Sequence, residues 1–267
     1  MKKALKLGVP ADSLASALGL EQGGQVALVG GGGKTSLMFA LARELLNKGR
    51  RVITGTTTKV WEREAHRSPC VVALSPDSDP LGTVKPLLEQ YGHVFVARDL
   101  SGKGKVSGIT RAQADALYRE PWVDYLILEA DGSAGLPVKA PEDHEPVIPA
   151  STTSVVAVMG LEAVGSPFEP DIVFRPGLFE AVTGLGRGET LTPEALARLF
   201  HSPRGLFKGA PLSARRIAFL NKLDLLQGDR DTRALAGQLL KAPNSRTDMV
   251  VIGSVTREIY FRSGGRE

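Results

Sequence analysis

Seven consecutive residues, Gly30-Gly31-Gly32-Gly33-Lys34-Thr35-Ser36, set four backbones without Cβ atoms beside one ammonium and two hydroxyls. Glycines let N–H groups converge on phosphate oxygens without side-chain clashes. A helix starting at Lys34 would add about half a positive charge at its N-terminus. In such a loop Lys34 would reach the β- and γ-phosphates of a nucleotide, and the Thr35 hydroxyl would coordinate Mg²⁺. The apolar run 25–29 ahead of the glycines reads as a buried strand. Leu37, Ala40, Leu41, Leu45 and Leu46 then recur at helical spacing. Strand, glycine loop and Lys-Thr at a helix start together point to a nucleoside triphosphate. A glycine-rich turn with an incidental Lys-Thr would lack that context.

Two carboxylates extend this chemistry. Leu126-Ile127-Leu128-Glu129-Ala130-Asp131-Gly132-Ser133 is an apolar strand ending in acids two residues apart. Both face the same side if the strand continues. A carboxylate at this place holds Mg²⁺ or its water, and the spacing leaves open whether Glu129 or Asp131 makes the contact. In the Gly- and Pro-rich stretch that follows, Lys139 would touch phosphate and His144 would act as an acid or base, although a lone surface histidine is more often a bystander. Thr56-Thr57-Thr58-Lys59 after the second strand offers hydroxyls to Mg²⁺ or the γ-phosphate, unless it is only a Thr-rich turn.

The remaining motif concerns the base. Asn221-Lys222-Leu223-Asp224 closes an apolar strand and resembles the guanine-reading Asn-Lys-x-Asp of GTPases. Asp224 would accept two N–H bonds from guanine while the Lys222 stem packs over the ring. The same carboxylate would repel the acceptor at N1 of adenine, so GTP is favoured over ATP. Two departures weigh on this. The usual Gly-x-x-x-x-Gly-Lys-Thr loop needs glycine at position 28, where Leu28 stands, and the shortened loop resembles that of Mur ligases and folylpolyglutamate synthetases. The Asp-x-x-Gly switch of GTPases needs glycine at 134, where Ala134 stands.

The elements that must position these residues follow from periodicity. Short apolar strands are expected near 25–29, 52–54, 71–74, 94–97, 123–128, 154–159, 217–220 and 249–252. Helices are expected over 34–47, 84–91, 110–118, 192–200 and 232–240, with Thr110 and Thr192 as caps. Asp12 would cap a further short helix through Leu20, a candidate lid over the nucleotide. Ser101 to Lys105 reads as an exposed basic loop. Strands alternating with helices give an α/β fold of the P-loop NTPase kind, a largely parallel sheet flanked by helices. The chain is expected to be one domain, with residues 160–209 departing from the alternation as a helical insertion.

Composition limits the functional classes. The chain has 267 residues, a formal net charge of +4 and one cysteine, Cys70. An intrachain disulfide is impossible, which fits a reducing cytoplasm. Mild, interspersed basicity suits an anionic small ligand better than nucleic acid. The lysines of the first residues lack the apolar core of a signal peptide, and no stretch has transmembrane length. A cytoplasmic protein without nucleic-acid or membrane partners is expected.

Taken together, the glycine loop, Thr56-Thr57-Thr58-Lys59, Glu129-Ala130-Asp131-Gly132-Ser133, Leu136-Pro137-Val138-Lys139-Ala140-Pro141, His144-Glu145-Pro146-Val147-Ile148-Pro149 and Asn221-Lys222-Leu223-Asp224 resemble the YqeC family. The resemblance covers most of the chain. It implies an accessory role for selenium-dependent molybdenum hydroxylases, in maturing or supplying their selenium-containing cofactor, with a hydroxylase or its maturation proteins as partners. Three activities fit the residues: a Mg²⁺-dependent NTPase, a Mur-like kinase or ligase whose acceptor pocket uses 135–149 and 160–209, and a nucleotide-dependent scaffold without turnover.

Overall fold

A computed structural model of the chain describes residues 7–75, 78–99, 104–226, 228, 230–243 and 245–264. The strands are β1 (Val9–Ala11), β2 (Gly24–Gly30), β3 (Val52–Thr56), β4 (Lys59–Trp61), β5 (Val71–Ala73), β6 (His93–Ala97), β7 (Lys105–Ser107), β8 (Tyr125–Glu129), β9 (Val138–Lys139), β10 (Ser154–Gly160), β11 (Val173–Phe174), β12 (Arg215–Asn221), β13 (Met249–Ser254) and β14 (Ile259–Ser263). The helices are α1 (Leu14–Leu18), α2 (Lys34–Asn47), α3 (Glu62–Ala65), α4 (Pro80–Tyr91), α5 (Arg111–Tyr118), α6 (Pro176–Thr183), α7 (Pro193–His201) and α8 (Arg230–Lys241).

Ten strands form one sheet in the order β1-β14-β13-β12-β10-β2-β8-β3-β6-β5. Every pairing from β13 to β5 is parallel, and only the β13–β14 and β14–β1 pairings at one edge are antiparallel. The α/β P-loop-like fold expected from the alternation is therefore the fold observed. Central strands are buried on both faces, as a covered parallel sheet requires. Alternate residues of β2 serve opposite layers. Ala27 and Val29 pack with α6, α7 and α8, while Val26 and Leu28 pack with α1 and α2. Helices α4 and α5 cover the β3–β6 end of the sheet through Val84, Leu88, Ala114 and Leu117. Within 160–209, Phe168, Phe179, Leu196, Phe200 and Phe207 join the same buried cluster as β2.

Cap chemistry sets several boundaries. Thr110 closes a capping box with Gln113, and Thr192 accepts from Ala195 N ahead of Pro193. The first helix is capped by Ser13 instead of Asp12, and Leu14 N donates to Glu44 on α2 at 2.8 Å. That contact seats α1 against α2, so it is a packed element of the sheet's cover where a nucleotide lid was expected. Of the expected basic loop, Ser101, Gly102 and Lys103 lie outside the described residues, and Lys105 starts β7. No helix among the described residues is long and apolar enough to cross a membrane.

Candidate functional site

Because β2, β3, β8, β10 and β12 run parallel, every motif at a strand end arrives at the same carboxyl edge of the sheet. Strand β2 sits between β8 and β10, and the chain crosses it on the way from one to the other. Ligand crevices in open α/β sheets form at this kind of position.

The glycine loop is packed so closely that side chains are excluded. A Cβ on Gly30 would lie 2.3 Å from Val158 O, one on Gly31 2.5 Å from Leu136 O, and one on Gly32 2.1 Å from Gly160 N. Gly30, Gly32 and Gly33 also take positive φ values of 93°, 74° and 111°, a region L side chains avoid. Two loop amides are spent on this packing. Gly31 N donates to Val158 O and Gly32 N to Leu136 O, both at 2.9 Å. The amides left without a backbone acceptor are then those of Gly33, Lys34, Thr35 and Ser36 at the start of α2, which has no side-chain cap. The expected convergence of all loop amides on phosphate is thus narrowed to the helix start.

Lys34 and Asp131 meet beneath the loop. Lys34 Nζ donates to Gly30 O at 2.6 Å and to Ser133 Oγ at 3.3 Å, and lies 3.2 Å from Asp131 Oδ1. Asp131 is 1% exposed and also accepts from Gly30 N at 3.0–3.1 Å. Lys139, expected to touch phosphate, is fully buried and occupied. Its ammonium reaches Asp131 at 3.1 Å, Glu145 at 2.7 Å and Gly132 O at 2.7 Å. Arg175 closes the chain with ion pairs to Glu145 and, at 2.8 Å, Glu142. Burial alone would raise the Glu145 carboxyl. Arg175 and Lys139 outweigh it and hold the group down at about 2.

Glu129 differs from Asp131. Strand β8 ends at Glu129, so the two acids are not held on one face. Glu129 is buried, its Oε1 has no hydrogen-bond partner among the described residues, and the Thr35 side chain is near enough to its carboxylate to favour the charged form. Burial pushes the Glu129 carboxyl above the usual range, against the pull of Lys34 and Thr35. An unpaired buried carboxylate oxygen beside a hydroxyl at a helix start has the donor chemistry of a hard-cation site. The described residues contain no cluster of three or more His, Cys, Asp or Glu of the kind an all-protein metal cage needs. A Mg²⁺ ion completed by phosphate and water does not need one.

On one side of the loop, Asn221 clamps it in place. Its Nδ2 donates to Gly32 O at 2.9 Å and its Oδ1 accepts from Val255 N at 3.2 Å. Lys222, at φ 66°, is ion-paired with Glu162, and Asp224 is exposed. On the other side, the Thr56 and Thr57 hydroxyls donate to Glu129 O and Val147 O at 3.0 and 2.7 Å, so both serve the fold. Thr58, Lys59 and His144 line a cleft of about 550 Å³ with Arg98, Arg111 and Glu145. His144 is exposed and 3.3 Å from Glu142. No residue of 160–209 lines this cleft, where that segment was expected to help build an acceptor pocket.

Sequence reasoning missed Glu145, Arg175 and Glu162. Glu145 and Arg175 are 30 residues apart and meet only through β9 and β11, two-residue strands with no periodic signal. Arg175 does carry one trace, an isolated charge between Phe174 and Pro176.

A family model described as YqeC protein matches residues 26–177. The protein YqeC of Escherichia coli (strain K12), described as uncharacterized, is 36% identical over 242 residues, covering 89% of this chain and 91% of that protein. The structure of the signal recognition particle 54 kDa protein from Aeropyrum pernix K1 in complex with GDP aligns with a TM-score of 0.40 at 16% identity, over 90% of this chain and 43% of that one.

Proposed function

The chain belongs to the YqeC family, and we propose that it is a Mg²⁺-dependent nucleoside triphosphatase, favouring GTP over ATP, that drives an accessory step in maturing selenium-dependent molybdenum hydroxylases. The observation that carries the nucleotide reading is the loop of Gly30 to Gly33. It has no room for side chains and delivers the uncapped start of α2 to the carboxyl edge of the sheet. Phosphate oxygens would take the N–H groups of Gly33 to Ser36, and the N-terminal end of a 14-residue helix would favour their charge. Lys34 would exchange Gly30 O for a phosphate oxygen and stabilise the transferring group, with Asp131 beside its ammonium to hold it in place.

Thr35 and Glu129 fit a metal better than Asp131 does, because the Asp131 oxygens are already engaged by Gly30 N and two ammoniums. Thr35 and Glu129 would hold Mg²⁺ there, and the ion would supply positive charge against the phosphates. Asp224 is exposed and available to read a base edge, while Asn221 ties that segment to the phosphate loop. The hydroxylase role rests on the family resemblance; loss of hydroxylase activity in cells lacking the protein would support it.

Thermal-shift titration with ATP, GTP and their diphosphates plus Mg²⁺, repeated on Asp224→Ala, tests the base assignment. GTP should stabilise the parent most, and the variant should lose that preference. Equal stabilisation of the parent by ATP and GTP would end the guanine claim. Hydrolysis should vanish in Lys34→Ala; unchanged turnover would remove the NTPase reading.

A further inference from the structure

The cleft beside the phosphate loop has a composition that the nucleotide does not use. It opens at the carboxyl ends of β3 and β6 and is built by Thr57 to Lys59, Arg98, the 107–111 segment and His144 to Val147. Of the candidate base-reading residues, Asn221 ends β12 and Asp224 follows it, on the opposite side of β2. A nucleotide lying from Asp224 to the loop would therefore end at β2, with this cleft beyond its terminal phosphate.

Charge distinguishes the cleft. Lys59, Arg98 and Arg111 line it, and none of the three has an ion-pair or side-chain hydrogen-bond partner among the described residues. Glu145, the carboxylate in the lining, is already bound by Lys139 and Arg175 and neutralises none of them. Ser107 and Thr110 add hydroxyls, and the backbone of Gly108 is held close to β3, where a Cβ would lie 2.4 Å from Thr56 O. The tight Gly108 contact fixes the 107–111 segment, so Arg111 at the first position of α5 is presented from a fixed support. Three exposed cations without ion-pair partners among the described residues, all lining one cleft, call for more than a single negative charge. Two of them are guanidiniums, whose forked donors suit phosphate oxygens.

A physical link joins this cleft to the phosphate loop. Gly132 lines the cleft, its carbonyl accepts from Lys139, and its neighbours Asp131 and Ser133 both contact Lys34. We propose that the cleft is a second ligand site, for a small molecule carrying a phosphate monoester or comparable dianion, placed to meet the terminal phosphate of the bound nucleotide. Its placement beside the terminal phosphate rests on the nucleotide reading above; its recognition of a dianion does not.

Equilibrium dialysis of the full chain with inorganic phosphate tests it, with the loop filled by a β,γ-imido triphosphate analogue and Mg²⁺. One phosphate should bind per chain, and acetate at the same concentration should not compete. Arg98→Ala/Arg111→Ala should weaken phosphate binding roughly tenfold or more, since two charge-assisted contacts are lost. Binding of the analogue should stay within about twofold of the parent, because neither arginine touches the loop, which also shows that the variant is folded. A parallel arm uses Lys34→Ala without nucleotide. Phosphate binding that survives Lys34→Ala and is lost in the arginine variant supports the cleft even if no nucleotide binds. Phosphate that binds only through Lys34, that acetate displaces equally, that the arginine variant binds as well as the parent, or that does not bind at all, overturns the proposal.

Discussion

Exchanging Glu129 for glutamine should stabilise the nucleotide-free protein while removing the Mg²⁺ dependence of nucleotide binding. In the parent, a buried carboxylate keeps one oxygen without a partner, and burial pushes its pKa up. A buried polar group left unsatisfied costs about 1–3 kcal/mol, and more when charged. Glutamine keeps the shape and the contact with Thr35 but carries no charge. One polar atom still lacks a partner, so the gain should sit near the low end, about 1 kcal/mol. A carboxyl with a raised folded pKa loses stability as pH rises through that pKa, so the gain should grow toward alkaline pH. Asp131→Asn should act in the opposite direction. Its charge lies between the buried ammoniums of Lys34 and Lys139. Breaking such a buried network costs about 3–5 kcal/mol. Urea unfolding at neutral pH without nucleotide reads both stabilities. Binding of a fluorescent nucleotide in Mg²⁺ and in EDTA reads the metal. The metal assignment fails if Glu129→Gln destabilises the protein by more than about 1 kcal/mol, or if its binding still depends on Mg²⁺ as the parent's does.

Three further outcomes follow from the geometry. Gly32→Ala places a Cβ 2.1 Å from Gly160 N at φ 74°; left-handed strain and overpacking together should cost about 2–5 kcal/mol in urea unfolding and abolish nucleotide binding. Gly33→Ala carries the same kind of backbone strain at φ 111° but would crowd only the Asn221 amide, at 2.8 Å, with no backbone atom in the way, so it should be milder than Gly32→Ala. His93 is buried beside Thr54 and held down at about 4, so it must fold neutral. Stability should be full above pH 6.5 and fall by about 3 kcal/mol as pH drops toward 4, a slope that His93→Gln should flatten. Glu145 behaves likewise at lower pH, since its folded pKa of about 2 lies below the ordinary 4.5. The stability it contributes above 4.5 should disappear as pH falls toward 2, and Arg175→Met should shrink that loss in acid unfolding followed by circular dichroism.

The sequence alone determined the elements whose signal is local. The glycine loop between 25–29 and an amphipathic helix could only be a strand-loop-helix unit, and α2 spans Lys34–Asn47 as its periodicity requires. Thr110 and Thr192 cap α5 and α7 because capping uses residues three apart on one chain segment. Parallel order followed from alternation, and with it the gathering of the motifs at one edge. Tertiary structure decided whatever depends on partners distant in sequence. Glu129 and Asp131 look equivalent by spacing, yet β8 stops at Glu129, and Asp131 is taken by Gly30 N and two lysines from elsewhere. Lys139 reads as a free cation and is buried in an ion chain that reaches Arg175. The edge strands β1 and β14 pair antiparallel through only a few residues, too short for a periodic pattern to announce them. Spacing along the chain carries information over a few residues of helix or strand, whereas the pairing of buried charges is settled by which segments the sheet brings together.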